Sequence, residues 1–444
     1  MIFHSFEFLF LFLPCALAVY WIPAWAGRRE WSIRLLAMAS FVFYAMWYWP
    51  HVFVLTASVG MNYLVGARIA ATRSRGWVRA GVALNLAALG WFKYGAGLGF
   101  PVLMPLGISF FTFTQIAFLL DAAEGEISSL SPWRYALFVS FFPHSIAGPI
   151  LHHRQMMDQF AAPESTRWDW AQWASGLTHF TVGLVKKVAI ADTLAPWANA
   201  AFGAAGPGSA PEAWMGLVTY ALQLYFDFSG YCDMANGLAQ LFHIRFPKNF
   251  DRPYRAASII EFWQRWHMTL SAFLRDYLLF QLPGNRARRR FLLNIFLTML
   301  LGGIWHGAHW NFAIWGGLHG LYLVVNHQWR ETGRTMNEWA ARGLTLAAVL
   351  VAWVPFRAET LPGAWRYLRA LTGTEAARGL PGGEWQLAAV GLLGLGVLLL
   401  PERAPAPLAR WQAVALGVAF FLCLLLLRET SLQLRHSEFI YFRF

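Results

Sequence analysis

The stretch from residue 301 to residue 320 reads LGGIWHGAHWNFAIWGGLHG and places three histidines in an apolar, glycine-rich segment. These are His306, His309 and His319. A titratable side chain is costly inside a lipid bilayer and generally marks a functional site there. The segment therefore predicts a helical membrane protein whose reactive groups lie near these imidazoles.

The composition of the whole chain supports a membrane protein. Of its 444 residues, 57% are hydrophobic and 13% are charged, whereas an average soluble protein has about 25% charged residues. At about 20 residues per span, the apolar runs predict about 11 transmembrane helices with additional re-entrant or interfacial helices. We expect an all-α polytopic protein that forms one membrane domain over residues 1–444.

The basic residues, which give a net charge of +12, are clustered at the ends of apolar runs. Loops rich in Lys and Arg face the cytoplasm, so the N-terminus is predicted to be periplasmic. Because topology accounts for these charges, a nucleic-acid partner is not expected. The clusters assigned to cytoplasmic loops or edges are Arg28, Arg29 and Arg34; Arg68, Arg73, Arg75 and Arg79; Lys186 and Lys187; and Arg286 with Arg288, Arg289 and Arg290.

Breaks in the apolar pattern are predicted at residues 104–107 and 143–149, which contain glycine and proline. A charged amphipathic segment follows at residues 258–277. Ser258 and Glu261 fit a helix-capping box, and Glu261 and Arg265 are spaced for an ion pair. We expect one helix here, lying at or dipping into the cytoplasmic interface.

His319 is the foremost catalytic candidate. Trp315 shares its predicted helix face, and the glycines at 316, 317 and 320 leave room for a substrate or a closely packed helix. An imidazole removed from water stays neutral and can accept a proton from a hydroxyl group. The alternative is a histidine that only hydrogen-bonds between helices. A break within residues 302–311 leaves the position of His306 open, and His309 is expected to be structural or interfacial.

A polar stripe runs through an otherwise apolar segment, at Gln223, Asp227, Ser229, Asp233, Asn236 and Gln240. Such residues line a cavity, bind a cation or form an interhelical hydrogen-bond network, here with Arg245 or Arg265. The three cysteines are far apart and predict neither a metal site nor a disulfide framework. Motifs for metal, nucleoside triphosphate or serine-hydrolase chemistry are absent from the sequence.

Several motifs, in order along nearly the whole chain, resemble the membrane-bound O-acyltransferase family, and in particular its bacterial alginate O-acetyltransferase branch. They are MIFHSFEFLF at 1–10, PLGISFFTFTQ at 105–115, FPHSIAGPI at 142–150, YFDFSGYCDMA at 225–235, KNFDRPY at 248–254, FWQRWHMTLS at 262–271, RDY at 275–277, GIWHGAHWNFAIWGGLHG at 303–320 and FIYFRF at 439–444. One step departs from the family pattern, because His144 follows Pro143 where a glutamine is often found.

The resemblance implies a ring of helices around a central funnel and two catalytic histidines. The family's catalytic histidine matches His319, and its second polar residue matches His267. The substrate-binding residues expected beside them are His306, Trp315, Asp233, Asn236, Trp266 and Arg265.

The resemblance also implies a bacterial inner-membrane enzyme that uses acetyl-CoA as donor and needs no further cofactor. His319 would act as a general base or as a transient acyl carrier, and a periplasmic acetyltransferase is the expected partner. The acceptor would be an exported polysaccharide such as alginate, with peptidoglycan as another candidate. The alternatives are D-alanyl transfer from a carrier protein toward teichoic acid, a non-catalytic polysaccharide transporter, and haem ligation by paired histidines.

Overall fold

A computed structural model describes residues 1–127, 130–146, 148–162, 167–373, 383–399 and 410–432. Within these ranges the regular structure is helical and contains no β-strand. The described residues divide into two compact units. The predicted all-α class is confirmed, whereas the assignment of residues 1–444 to one domain stays a prediction.

The first unit contains the N-terminal helices, residues 230–247 and the last described helix. An aromatic core of Phe3, Phe8, Phe12, Phe43 and Phe142 lies inside it. Its helices are α1 (Leu13–Trp25), preceded by a π-helical turn (Phe8–Phe12), α2 (Arg29–Ala45), α3 (His51–Thr72), α4 (Arg75–Tyr94), α5 (Ile108–Glu124), α6 (Pro132–Ser140), α7 (His153–Ala161), α8 (Trp170–Leu184) and α18 (Arg410–Leu432).

The second unit contains Lys186–Ser229 and the chain from Lys248 through α17. Its core is rich in tryptophan, with Trp263, Trp266, Trp315 and Trp353 all buried. Its helices are α9 (Asp192–Ala201), the first part of α10 (Ala210–Leu241), α11 (Ile259–Arg265), α12 (Met268–Phe273), α13 (Arg288–His306), α14 (Trp310–Glu331), α15 (Glu338–Arg357), α16 (Leu361–Leu371) and α17 (Gly383–Leu399). π-helical segments cover Val185–Ala191 and Leu274–Leu279.

Four described helices are long and apolar enough to cross a membrane by themselves: Phe8–Trp25, His51–Thr72, Glu338–Arg357 and Arg410–Glu429. Large apolar side chains such as Trp411 and Phe421 are exposed on α18, as expected for a surface in contact with lipid. The protein is therefore a helical membrane protein. The predicted number of about 11 spanning helices is not confirmed by this criterion.

The predicted breaks at residues 104–107 and 143–149 are confirmed where they are described. Gly107 has a φ of 70° immediately before α5, and residues 141–152 form no helix in their described part. The motif at 142–150 includes residue 147, which lies outside the described residues. The terminal motif at 439–444 also lies outside them.

The prediction of one helix over residues 258–277 is wrong, although its start is correct. Ser258 accepts a hydrogen bond from the Glu261 N–H at 3.1 Å, which caps the helix as predicted. α11 then ends at Arg265, and His267 has a φ of 44° before α12 begins. This left-handed backbone interrupts the helix because it cannot continue the α-helical hydrogen-bond pattern.

Candidate active site

The hairpin formed by α13 and α14 brings two of the predicted histidines together. A Cβ atom on Gly316 would lie 2.4 Å from the Met299 carbonyl oxygen, and one on Gly303 would lie 2.3 Å from the Phe312 carbonyl oxygen. The helices therefore approach closely where both residues lack side chains. By contrast, no atom lies within 4 Å of the Cβ position of Gly317. Gly316 therefore serves the packing of the two helices, and Gly317 does not.

His306 ends α13 and His319 lies within α14, and Trp315 contacts both imidazoles. The ring centroid of Trp315 is 5.0 Å from that of His306 and 5.0 Å from that of His319. Phe356 of α15 also packs on His306 at 5.4 Å. The predicted candidates His306, Trp315 and His319 therefore form one buried aromatic cluster in the second unit.

The His319 side chain is completely buried, with 0% of its surface exposed. The indole N–H of Trp263 donates a hydrogen bond to its Nδ1 over 3.3 Å. Among the described residues, no side-chain or backbone group forms a hydrogen bond with its Nε2. His319 is thus held from one side by Trp263, while its second nitrogen has no protein partner in the described part of the chain.

His267 is held by Asn249, which comes from the loop before α11. The Oδ1 atom of Asn249 lies 3.2 Å from Nδ1 of His267 and accepts hydrogen bonds from the N–H and the hydroxyl of Thr269 at 3.1 and 2.9 Å. The Met268 N–H also donates to the Asn249 carbonyl oxygen at 2.9 Å. This pairing fixes the left-handed turn at His267, and the Phe228 ring packs against the imidazole at 4.7 Å.

Two further candidates near His267 take part in local structure. Arg265 forms the predicted ion pair with Glu261 at 2.6 Å and is 3.4 Å from the Asp251 carbonyl oxygen. Trp266 is buried and packs against Phe262 and Trp353. These contacts give Arg265 and Trp266 a structural role. That they also bind the substrate stays a prediction.

Asp233 and Asn236 belong to the part of α10 that lies in the first unit. Asn236 Oδ1 accepts hydrogen bonds from Gln240 Nε2 at 3.3 Å and from the Phe246 N–H at 3.4 Å. Gln240 also lies 3.2 Å from Nδ1 of His179. These side chains therefore form a hydrogen-bond network that reaches His179 on α8. The participation of Arg245 or Arg265 stays a prediction.

A cavity of about 450 Å³ lies within the second unit, beside the aromatic cluster. Trp263, Met299 and Leu323 line it, and Leu323 is one helical turn after His319. Arg275 and His327 add basic groups to a mainly apolar lining. The indole of Trp263 thus borders this cavity while its N–H bonds to His319.

Trp263, Asn249 and Lys187 make important contacts that helical spacing and polarity alone do not predict. Trp263 and Asn249 lie in the motifs at 262–271 and 248–254 that resemble the family. These motifs are the only feature of the sequence that indicates a role for the two residues. Lys187 was assigned to a cytoplasmic edge, but its side chain is buried and lies 2.8 Å from Asp227 and from Asp192. The sequence offers no spacing rule that links Lys187 to a carboxylate 40 residues away.

The structure is that of a helical membrane protein in which His306 and His319 are buried among aromatic rings. These features fit the family that the sequence motifs resemble. Residues 11–354 match the family model of the membrane-bound O-acyltransferases. The chain is 40% identical to a probable alginate O-acetylase of Pseudomonas aeruginosa, over 87% of this chain and 76% of that protein. It is 39% identical to a peptidoglycan O-acetyltransferase of Helicobacter pylori, over 84% of this chain and 80% of that protein.

A teichoic acid D-alanyltransferase of Bacillus subtilis is more distant, at 27% identity over 56% of this chain and 65% of that protein. The chain therefore belongs to the membrane-bound O-acyltransferase family and is an O-acyltransferase. The resemblance found in its motifs is confirmed.

Proposed function

We propose that this protein transfers an acetyl group from a thioester to a hydroxyl group of an exported cell-envelope polysaccharide. The relatives at about 40% identity support this substrate class, since their names specify acetyl transfer to alginate or peptidoglycan. D-alanyl transfer is less well supported, because those relatives are more distant.

The donor in this proposal is acetyl-CoA, and the cavity beside Trp263 receives its thioester arm. Its volume of about 450 Å³ lies in the range of small-molecule sites, and its mainly apolar lining suits the acyl-thioester end of the donor. His319 is fully enclosed, so a side chain between the cavity and the imidazole has to move before the thioester can reach His319. The observation that carries the proposal is the position of His319 directly behind the Trp263 wall of this cavity.

The protein lies in a bacterial inner membrane with its N-terminus in the periplasm, as the distribution of Lys and Arg favours. A periplasmic acetyltransferase then receives the acetyl group or completes its delivery to the polymer. His319 and His267 carry the transfer, and Trp315 and His306 shape its surroundings.

The proposal predicts acceptor-dependent release of CoA. The purified protein in lipid nanodiscs is incubated with radiolabelled acetyl-CoA and either oligomannuronate or peptidoglycan fragments, with and without a periplasmic membrane extract. Label should appear on one acceptor, and His319→Ala should lower the rate at least about 100-fold, as removal of a catalytic group does.

The matched control is His309→Ala, because His309 is exposed at the start of α14 and makes no capping hydrogen bond. This variant should keep the native rate. A His319→Ala protein as active as the control would remove the catalytic assignment. Transfer from a D-alanyl carrier protein, without any from acetyl-CoA, would replace the proposed donor.

A further inference from the structure

A second cavity, of about 270 Å³, lies in the second unit between the loop after α9 and the start of α16. Residues from the ranges 201–207 and 358–367 form its walls. Among the described residues, it shares no lining residue with the cavity beside Trp263. Its volume is slightly below the range of about 300–1,000 Å³ for sites that hold drug-sized molecules. The cavity can therefore hold a single sugar ring but not a whole coenzyme.

This cavity lies at the end of α15, next to the aromatic cluster that contains His306. Phe356 packs on His306 with ring centroids 5.4 Å apart, and Ala358 lines the cavity two residues later. The side-chain amide of Asn311 donates a hydrogen bond to the Ala358 carbonyl oxygen at 2.5 Å, which holds the start of α14 beside the end of α15. Since α13 begins at Arg288 on the cytoplasmic side in the proposed orientation, the cavity lies at the periplasmic face.

The aromatic wall of the cavity is held in place by contacts that need no ligand. The rings of Phe202 and Tyr367 stack with centroids 4.2 Å apart and an interplanar angle of 14°. The Tyr367 hydroxyl donates a hydrogen bond to the Ala213 carbonyl oxygen at 2.8 Å. The guanidinium of Arg357 lies 5.6 Å from the centre of the Phe202 ring and donates to Oδ1 of Asn199 at 2.7 Å. A site with preformed walls loses little conformational entropy when it binds a ligand.

Two charged groups of the lining have no hydrogen-bond or ion-pair partner among the described residues. They belong to Arg366 and Glu359, which are both exposed. A guanidinium binds a carboxylate through two parallel hydrogen bonds, whereas an ionised carboxylate accepts hydrogen bonds from hydroxyl groups. The Thr360 hydroxyl accepts a hydrogen bond from the Gly363 N–H at 3.2 Å and can still donate its own proton. The lining is therefore complementary to a ligand that carries a carboxylate and several hydroxyl groups.

The charges around the cavity favour an anionic ligand in spite of Glu359. Arg366 lines the cavity, and the guanidinium of Arg357 lies against the Phe202 ring of its wall. α16 begins at Leu361, and the start of a helix carries a partial positive charge. A neutral sugar would leave Arg366 without a counter-charge. An acidic sugar satisfies both charged groups of the lining.

We propose that this cavity binds a uronic acid residue of the acceptor polysaccharide and anchors the polymer at the periplasmic face. Arg366 binds the carboxylate, and Glu359 and Thr360 bind hydroxyl groups of the same sugar. This inference rests on the proposed function, in which the acceptor is an exported polysaccharide. Because the cavity is separate from the aromatic cluster, the anchored sugar is not the one that is acetylated. A different sugar of the same chain receives the acetyl group.

Binding of a mannuronate hexamer is measured by isothermal titration calorimetry on the full chain, in nanodiscs of zwitterionic lipid and without an acetyl donor. Arg366→Gln should weaken binding at least about tenfold, because it removes a charge-assisted contact. The matched control is Arg369→Gln, since Arg369 is exposed on the same helix but does not line the cavity. This control should keep the native affinity. Absence of binding to the native protein, or equal weakening in the two variants, would overturn the proposal.

A bulky side chain tests the location of the site without changing a charge. Ala204 lines the cavity, whereas Ala205 lies in the same loop outside the lining. Ala204→Trp should abolish binding of the hexamer, and Ala205→Trp should leave it unchanged. Native affinity in Ala204→Trp would show that the hexamer binds elsewhere and would overturn the proposal.

The carboxylate is tested with a hexamer whose carboxyl groups are reduced to primary alcohols. This neutral hexamer should bind the native protein at least about tenfold more weakly, because it lacks the partner of Arg366. Equal affinities for the two hexamers would overturn the assignment of a uronic acid.

Acetyl transfer to the hexamer separates this inference from the proposed function. Arg366→Gln should raise the KM for the hexamer with little change in kcat, and a native KM in this variant would overturn the anchoring site while the proposed function stands. If the native protein binds the hexamer as described but transfers no acetyl group, the proposed function fails while the site stands. If Arg366→Gln and Ala204→Trp lose only the stimulation by the periplasmic membrane extract, the cavity binds a protein segment and the proposal is wrong.

Discussion

The ammonium group of Lys187 lies between two carboxylates, 2.8 Å from an oxygen of Asp227 and 2.8 Å from one of Asp192. The side chains of Lys187 and Asp227 are only 1% and 2% exposed. Truncating one member of a buried ion pair is strongly destabilising, because the remaining charge stays out of water and loses its counter-charge. Lys187 therefore stabilises the second unit chiefly by compensating the buried carboxylate of Asp227.

We predict that Lys187→Met destabilises the protein by about 3–5 kcal/mol, because it leaves the Asp227 charge buried. Denaturation in detergent, followed by tryptophan fluorescence, measures this loss. The matched control is Lys248→Met, since Lys248 pairs with Asp251 at 3.0 Å but its side chain is 52% exposed. An exposed pair is worth only about 0–1 kcal/mol, so equal effects of the two substitutions would contradict the prediction.

Single residues could be predicted from the sequence where helical spacing relates them. Trp315 and His319 are four residues apart and were expected on one helix face, and their rings are in contact. Lys187 could not be placed in this way, because its partner Asp227 is distant in sequence and it lies in a π-helical segment, Val185–Ala191. The hydrogen bonds of His319 with Trp263 and of His267 with Asn249 join residues distant in sequence and also have no sequence signal.

The close packing of α13 against α14 depends on glycines, which have no side chain. Gly303 and Gly316 face each other, and a Cβ on either would lie within 2.9 Å of a backbone atom of the other. Backbone atoms cannot move aside as a flexible side chain can. The hairpin that holds His306 and His319 therefore tolerates no larger residue at this contact.

We predict that Gly316→Ala lowers both the melting temperature and the transfer rate, because the new methyl group would separate α13 from α14 and displace Trp315. The melting temperature is measured in nanodiscs together with acetyl transfer. Gly317→Ala is the matched control in the same helix, since its Cβ would meet no atom within 4 Å. Alanine favours helix by about 1 kcal/mol over glycine, so this control should be at least as stable as the native protein.

A Gly316→Ala protein that melts at the native temperature would show that the two helices do not need this contact. Loss of stability in Gly317→Ala alone would reverse the assignment of the two glycines. Either result would contradict the packing role proposed for Gly316.

The start of α11 could be predicted from the sequence, but its end could not. A capping box is a local signal, and Ser258 caps α11 as expected. The helix ends because Asn249, which precedes it by ten residues, pairs with the backbone of Met268 and Thr269. Apolar residues at helical spacing on both sides of His267 concealed this interruption, since the short helices α11 and α12 keep the same pattern.

At the scale of the whole molecule, the sequence determines the class of protein with little ambiguity. Composition alone predicted a helical membrane protein, and the ordered motifs predicted the family that residues 11–354 match. The number of spanning helices is harder to predict. Helices α10 and α14 carry polar side chains that make buried contacts, and these side chains lower the mean hydropathy of the two helices. Hydropathy by itself therefore identifies only four of the described helices as spans.

We predict that residue 309 faces the periplasm and residue 334 the cytoplasm, because basic residues gather near Arg288 and Arg334. His309→Cys and Arg334→Cys are made in a protein without Cys15, Cys232 and Cys423. A membrane-impermeant maleimide added to intact spheroplasts should label only His309→Cys. Labelling of Arg334→Cys alone would mean that the protein has the reverse orientation.

The complete enclosure of His319 has a consequence for how the cell uses its activated acetyl groups. Water that reaches a thioester beside a reactive imidazole would hydrolyse it and waste the metabolic energy stored in that bond. A catalytic site that excludes water when no acceptor is bound prevents this hydrolysis. Consumption of the donor would then follow the supply of nascent polymer, and a cell that makes no polymer would spend nothing on its modification.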